Sequence, residues 1–148
     1  MSIVQYLSVF LLGVVTGISF SHLLQRGPKK TLPPAQFLAV QQVLIRNYGP
    51  VVGGLELTAF LATFLWAIVR WDEPVVRTLA LIASVCIAAM VTIWAVWINT
   101  INRTVNSWTP ESIPSEWPDV RDRWHTLHTI RLALSAIAFS AAIAASLA

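Results

Sequence analysis

Four stretches of the chain stay apolar for about twenty residues, and almost everything polar falls between them: Ile3 to Leu24, Pro50 to Val69, Val75 to Asn99 and Leu127 to Leu147. A helix rising ~1.5 Å per residue crosses the ~30 Å hydrocarbon layer in about 20 residues. The pattern therefore predicts an all-α protein, a bundle of four transmembrane helices over residues 3–24, 50–69, 75–99 and 127–147. These spans use most of the 148 residues, so one membrane domain over 1–148 is expected, with no separate soluble domain.

The connections differ in character. In "TLPPAQFLAVQQVLIRNYG" prolines suit a helix start, and Phe37, Val40, Gln41, Leu44 and Tyr48 recur at helical spacing. That pattern predicts a short amphipathic helix over about 34–48, lying in the headgroup region and ending near Gly49. The segment "RTVNSWTPESIPSEWPDVRD" is rich in Pro, Ser and acidic residues. It reads as an ordered loop over about 100–126, pinned to the interface by Trp108 and Trp117. "RWDEP" reads as a tight turn, and no internal repeat is visible.

Composition agrees with this picture: 56% hydrophobic residues, 11% charged and a mean hydropathy of +0.67 describe an integral membrane protein. The first span reads as a retained helix, because no basic residue precedes it and no small-residue cleavage site follows. Cys86 is the single cysteine, which excludes an internal disulfide. Of the ten Lys and Arg, Arg26, Lys29, Lys30, Arg46, Arg103, Arg121, Arg123 and Arg131 fall on one side of the spans, whereas Arg70 and Arg77 fall on the other. Positively charged short loops stay cytoplasmic, so both termini are expected on the non-cytoplasmic side. Topology then accounts for the +3 charge, and no nucleic-acid partner is implied. The partners expected are the lipid bilayer, a lipophilic small molecule and, through the "GVVTG" face, a second copy in a homo-oligomer.

Polar residues inside apolar spans are costly and mark bundle interiors or functional paths. Here they share one depth. His22 lies near the inner end of span one and Glu56 about two turns into span two. Asn99 and Asn102 close span three, and His125, His128 and Arg131 open span four. Trp124, His128, Arg131 and Ser135 follow one helical stripe, and Glu56 shares a face with Gly53 and Ala59. Turning these stripes inward brings Glu56, His22 and His128 toward Arg131, with Arg131 as the first expected partner of the carboxylate. His125 is placed nearer the headgroups, outside the cluster. Two histidines and a carboxylate are a known metal ligand set, but only His125 and His128 have ligand spacing within one helix; no metal ligand is assigned and no cofactor is required by the sequence. Gly-rich phosphate loops, CxxC motifs and nucleophile elbows are absent.

The stretch from "NTINRTVNSW" through "IPSEWPDVRDRWHTLHTIR" resembles the C-terminal signature of the anthrone oxygenase-like family, small four-span membrane proteins. An Asn ending span three, a Trp-containing acidic loop, and R-x-R-W followed by His and then Arg are matched by Asn99, Trp117, Arg121, Arg123, Trp124, His128 and Arg131. "SFSHLLQRGPKKTLPPAQFLAVQQVLIRNYG" looks like the family's first helix end, basic turn and Gln-containing helix. One departure is Trp97, where a Pro two residues before the Asn is expected; a straighter end to span three follows from it. The resemblance implies oxidation of an anthrone to an anthraquinone with molecular oxygen, the activity of fungal members. His128 or His22 would be the base and Arg131 the oxyanion partner. Glu56, Asn99, Asn102, Trp97 and Trp124 are expected to line the substrate site, with Trp94, Trp97 and Trp124 as aromatic walls. The alternative is a non-enzymatic binding or assembly module whose polar residues form a closed ion-pair network. A transporter is disfavoured by a single short bundle without broken helices.

Overall fold

The computed structural model describes residues 2–148, except for the side chain of Asn47. The described residues are helical nearly throughout: α1 Ile3–Lys30, α2 Pro34–Val69, α3 Pro74–Ile93, a π turn Trp94–Ile98, α4 Asn99–Asn106 and α5 Trp117–Leu147. Four helices, Ile3–Lys30, Tyr48–Val69, Pro74–Asn106 and Trp117–Leu147, are long and apolar enough to cross a membrane, and the chain is a multi-pass integral membrane protein. Large apolar side chains such as Phe10, Phe20, Leu57, Phe64, Val85 and Ile137 face outward along the bundle, which suits lipid and not water.

Local chemistry sets the helix starts. Ser2 caps α1 through a reciprocal box with Gln5. Prolines occupy the first positions of α2, α3 and α5, where their missing N–H costs nothing. The turn between α2 and α3 is clamped by two hydrogen bonds from the Arg70 guanidinium to the Glu73 carboxylate; these bonds hold the Glu73 carboxyl below its ordinary range.

Two boundaries differ from expectation. The amphipathic segment 34–48 is not a separate interfacial helix: it runs on through Gly49 and Pro50 as the first half of the 36-residue α2. Pro50 removes one N–H from the ladder, at the Arg46 carbonyl, and the remaining bonds close around it. At ~1.5 Å per residue α2 is about 54 Å long, well beyond one hydrocarbon thickness. The expected loop 100–126 is also shorter, because α4 consumes its start and α5 begins at Trp117. Only residues 107–116 lack helix. Gln42 donates from Nε2 to the Val105 and Trp108 carbonyls at 3.1 and 3.0 Å, satisfying the open end of α4. Trp117 stacks on Phe37 with ring centroids 5.2 Å apart.

The helices form a closed ring in which α1 and α3 each pack on both α2 and α5. Small residues line the contact faces: Ala80, Ala83, Ala138, Ala142 and Ala145 are buried, as close helix approach in lipid requires. Polar bonds tie the pairs, Thr16 Oγ1 to the Ser135 carbonyl at 3.2 Å and Ser84 Oγ to Thr63 Oγ1 at 3.0 Å. Two apolar cores result. One, around Leu12, Ala59, Ile87 and Ala138, fills the half near the termini; the other, Leu38, Ile98, Ile101, Val105 and Trp124, fills the basic end.

Candidate functional site

The inward stripe of α1 reads Ser8, Leu12, Val15, Ser19, His22 and Lys29, a spacing of three and four residues that keeps one face toward the bundle. That of α5 reads Trp124, His128, Arg131, Ser135 and Ala138. Where these stripes meet α2 and the π turn, His22, Glu56, Asn102, Trp124, His128 and Arg131 line a single cleft. Six of the eight residues expected at the site from sequence are therefore brought together.

The buried carboxylate is paired as anticipated. Glu56 and Arg131 are 2% and 4% exposed, and Arg131 donates from Nη2 to Glu56 Oε1. An unpaired charge at this depth would carry a penalty of several kcal/mol. The pairing leaves Arg131 Nε buried without a partner. Next to it the imidazoles of His22 and His128 lie 4.1 Å apart between centroids. The indole of Trp124 sits 4.0 Å from His128 and edge-on to His22 at 5.2 Å, while its Nε1 donates to Asn102 Oδ1 at 2.9 Å. Tyr48 closes against His22 at 5.2 Å. Both histidines keep a buried ring nitrogen without a hydrogen bond, Nδ1 of His22 and Nε2 of His128. Leu44, Ile45, Val52, Trp94 and Ile98 supply the apolar wall, and Gly49 and Gly53 keep it open. The free space is narrow, about 40 Å³, enough for roughly three water molecules.

Trp97 and Asn99 do not line the cleft, which corrects their assignment; Trp97 is 42% exposed on the outer face. The π turn is the reason. A regular helix continuing from Met90 would bring positions 94, 97 and 101 to the same face. The wider turn over Trp94–Ile98 adds a residue to that cycle, so Ile98 takes the inward place and Trp97 rotates toward lipid. The stretch expected to be straighter without a proline carries this π turn instead. His125, expected nearer the headgroups, is buried in the bundle at 2% exposure, and its ring meets Trp124 at 5.1 Å. The ion pair of Lys30 with Asp122, 3.2 Å, draws the last turn of α1 beside the first turns of α5 and covers that end. His125 nevertheless stays outside the cleft lining, as expected.

Sequence reasoning passed over Lys29 and Gln41. Lys29 is 4% exposed, donates from Nζ to Gln41 Oε1 at 2.9 Å, and holds Nζ 5.1 Å from the Trp124 ring centroid. The signal was available: Lys29 follows His22 by seven residues, two turns along one face. Among the described residues no group of three or more His, Cys, Asp or Glu side chains is placed to hold a metal ion.

The family model of the anthrone oxygenases matches residues 20–141, from the end of α1 through most of α5 and across every residue of the cleft. No curated protein and no solved structure matches the chain. A match over that much of the sequence is decisive, and the chain belongs to the anthrone oxygenase family.

Proposed function

We propose that this chain oxidises a lipophilic, anthrone-like aromatic with molecular oxygen at the cleft between α1, α2, the π turn and α5. The observation that carries the proposal is the pair of buried imidazoles, His22 and His128, each with an unpartnered ring nitrogen, set against an indole face and beside a fixed guanidinium. A planar ring slots against Trp124, and a base then removes a proton from the acidic methylene. His128 is that base, with His22 as its neighbour in proton transfer. The carbanion passes one electron to dioxygen, and the resulting radical and superoxide combine to form a carbon–oxygen bond. Arg131, oriented by Glu56, stabilises the negative oxygen formed there. The imidazolium returns its proton to give the hydroperoxide. Loss of the second methylene hydrogen as a proton with cleavage of the O–O bond then leaves the quinone carbonyl and water. One oxygen atom enters the product, the other leaves as water with both methylene hydrogens.

The narrow cleft must widen to admit three fused rings, and the apolar wall of Leu44, Ile45 and Val52 on α2 against Trp94 and Ile98 is where lipid-borne substrate enters. The basic residue distribution supports an orientation with this end of the bundle, and with it the cleft, on the cytoplasmic side and both termini opposite. The test is oxygen uptake and quinone formation from anthrone by the purified protein in lipid nanodiscs, under labelled dioxygen and corrected for autoxidation. Acceleration with one labelled atom in the product, lost in His128→Ala, is expected. A rate equal to that of empty nanodiscs overturns the proposal.

A further inference from the structure

A lysine near the end of a membrane-spanning helix ordinarily extends its ammonium to the headgroups. Lys30 does the ordinary thing: it is exposed and pairs with Asp122. Lys29, one residue earlier, turns inward at 4% exposure. Its ammonium forms one hydrogen bond, to the neutral amide of Gln41, and lies over the indole that also contacts His128. Within the cleft the guanidinium of Arg131 is answered by Glu56, so Lys29 is a cation with no carboxylate paired to it among the described residues. Burying such a charge is costly, and the cost is recovered when an anion arrives.

We propose that Lys29, positioned by Gln41, binds the ionised oxygen of the aromatic substrate, so that the site selects lipophilic phenols and enolisable ketones over neutral aromatics of the same shape. This rests on the cleft being the substrate site proposed above, and adds the group that reads the substrate. The cation and the imidazole both contact one indole, so a flat molecule lying along Trp124 reaches Lys29 with one edge and His128 with another. In an anthrone the carbonyl oxygen and the reacting methylene lie at opposite sides of the central ring. Charge created by proton removal at the methylene is delocalised onto that oxygen, which places it at Lys29. A small inorganic anion would leave the aromatic and aliphatic walls of the cleft unused.

The test employs 2-hydroxyanthraquinone, an already oxidised ring whose phenol and phenolate differ in visible colour. Titrated with protein in lipid nanodiscs, the probe's ionisation midpoint should fall by about 1–2 pH units relative to empty nanodiscs, the size expected for an opposite charge in contact. Arg131, Glu56, His22 and His128 also face the cleft, so the assignment depends on variants: Lys29→Met should abolish the shift, Lys29→Arg should keep most of it, and Lys30→Met should leave it intact. Gln41→Leu, which releases the ammonium from the hydrogen bond that holds it inward, should shrink the shift, and Lys29→Gln provides the test if Lys29→Met fails to fold. A shift that survives in Lys29→Met or Lys29→Gln, is undiminished in Gln41→Leu, or is absent from the wild type overturns the inference. Because the probe undergoes no oxidation, the two proposals fail separately. A Lys29-dependent shift without oxygen uptake on anthrone refutes only the oxygenase reaction. Turnover without the shift refutes only the role of Lys29.

Discussion

Removing one member of the Glu56–Arg131 pair should be far worse for the fold than removing both. With Glu56 at 2% and Arg131 at 4% exposure, neither charge has water to fall back on. Glu56→Gln leaves the guanidinium buried with a weak neutral acceptor, and Arg131→Met leaves the carboxylate with no cation in hydrogen-bond contact. Each single change should cost about 3–5 kcal/mol of stability, the usual loss when a buried pair is broken. Glu56→Leu with Arg131→Met replaces the pair by apolar side chains in an apolar bundle and should recover most of that loss, giving a coupling of at least about 2 kcal/mol across the cycle. Reversible unfolding in mixed detergent micelles, followed by circular dichroism, measures all of these variants. The double variant should fold and yet lack turnover, because Arg131 is gone from the cleft. Single-variant losses that simply add in the double variant would refute the reasoning, since additivity means that the two groups do not compensate each other. A stable double variant with full turnover would leave the pair structural and remove Arg131 from the chemistry.

Filling the cleft should block it without harming the bundle. A Cβ at Gly53 meets nothing within 4 Å, so Gly53→Leu is expected to keep the thermal midpoint within a few degrees while raising KM for anthrone at least tenfold, and unchanged kinetics would place the substrate elsewhere. Trp94→Ala should lower kcat/KM by more than tenfold and Trp97→Ala by less than twofold, since only the first indole lines the cleft; equal effects in steady-state assays would contradict the phase change at the π turn. His125→Ala should retain turnover but lose stability by about 1–3 kcal/mol, as expected for deletion of a buried, well-packed ring, whereas His128→Ala should lose turnover; the reverse pattern in paired unfolding and activity measurements would exchange their roles.

Much of this architecture was legible because membranes leave few options. Apolar runs of the right length can only be helices, and a carboxylate among them requires a partner, so Glu56 and Arg131 were matched across 75 residues by charge and depth alone. The stripe on α5 followed from helical period. What failed was finer. The separate helix over 34–48 rested on treating Gly49–Pro50 as a stop, whereas one missing N–H inside a long ladder does not end it. Asn99 was assigned by its place at the end of span three and by the family resemblance, and Trp97 as an aromatic wall that the resemblance implied; nothing in "WAVWI" announces the extra residue of a π turn. Lys29 was counted only as a topology signal: its periodicity with His22 was visible, but its inward turn depends on Gln41 arriving from α2, a contact between helices that composition does not encode.

The charge pattern of the cleft says what sort of reaction it suits. Two cations, Lys29 and Arg131, face one carboxylate, Glu56, which is already committed to Arg131. A neutral substrate gains little from the remaining positive charge. A substrate that becomes negative as it reacts gains more, and gains it between apolar walls where fixed charges act through a low dielectric. An interaction that strengthens only as charge develops lowers the barrier without tightening ground-state binding, which is the requirement for raising kcat. Proton removal from carbon beside a delocalised ketone is such a step, because its product is an oxyanion at a distance from the base. The imidazole and the ammonium contact Trp124 as two separate groups, which supports that division of labour: one takes the proton, the other holds the charge left behind. Two groups that share one indole can act on the same flat molecule, one at the reacting carbon and the other at the distant oxygen.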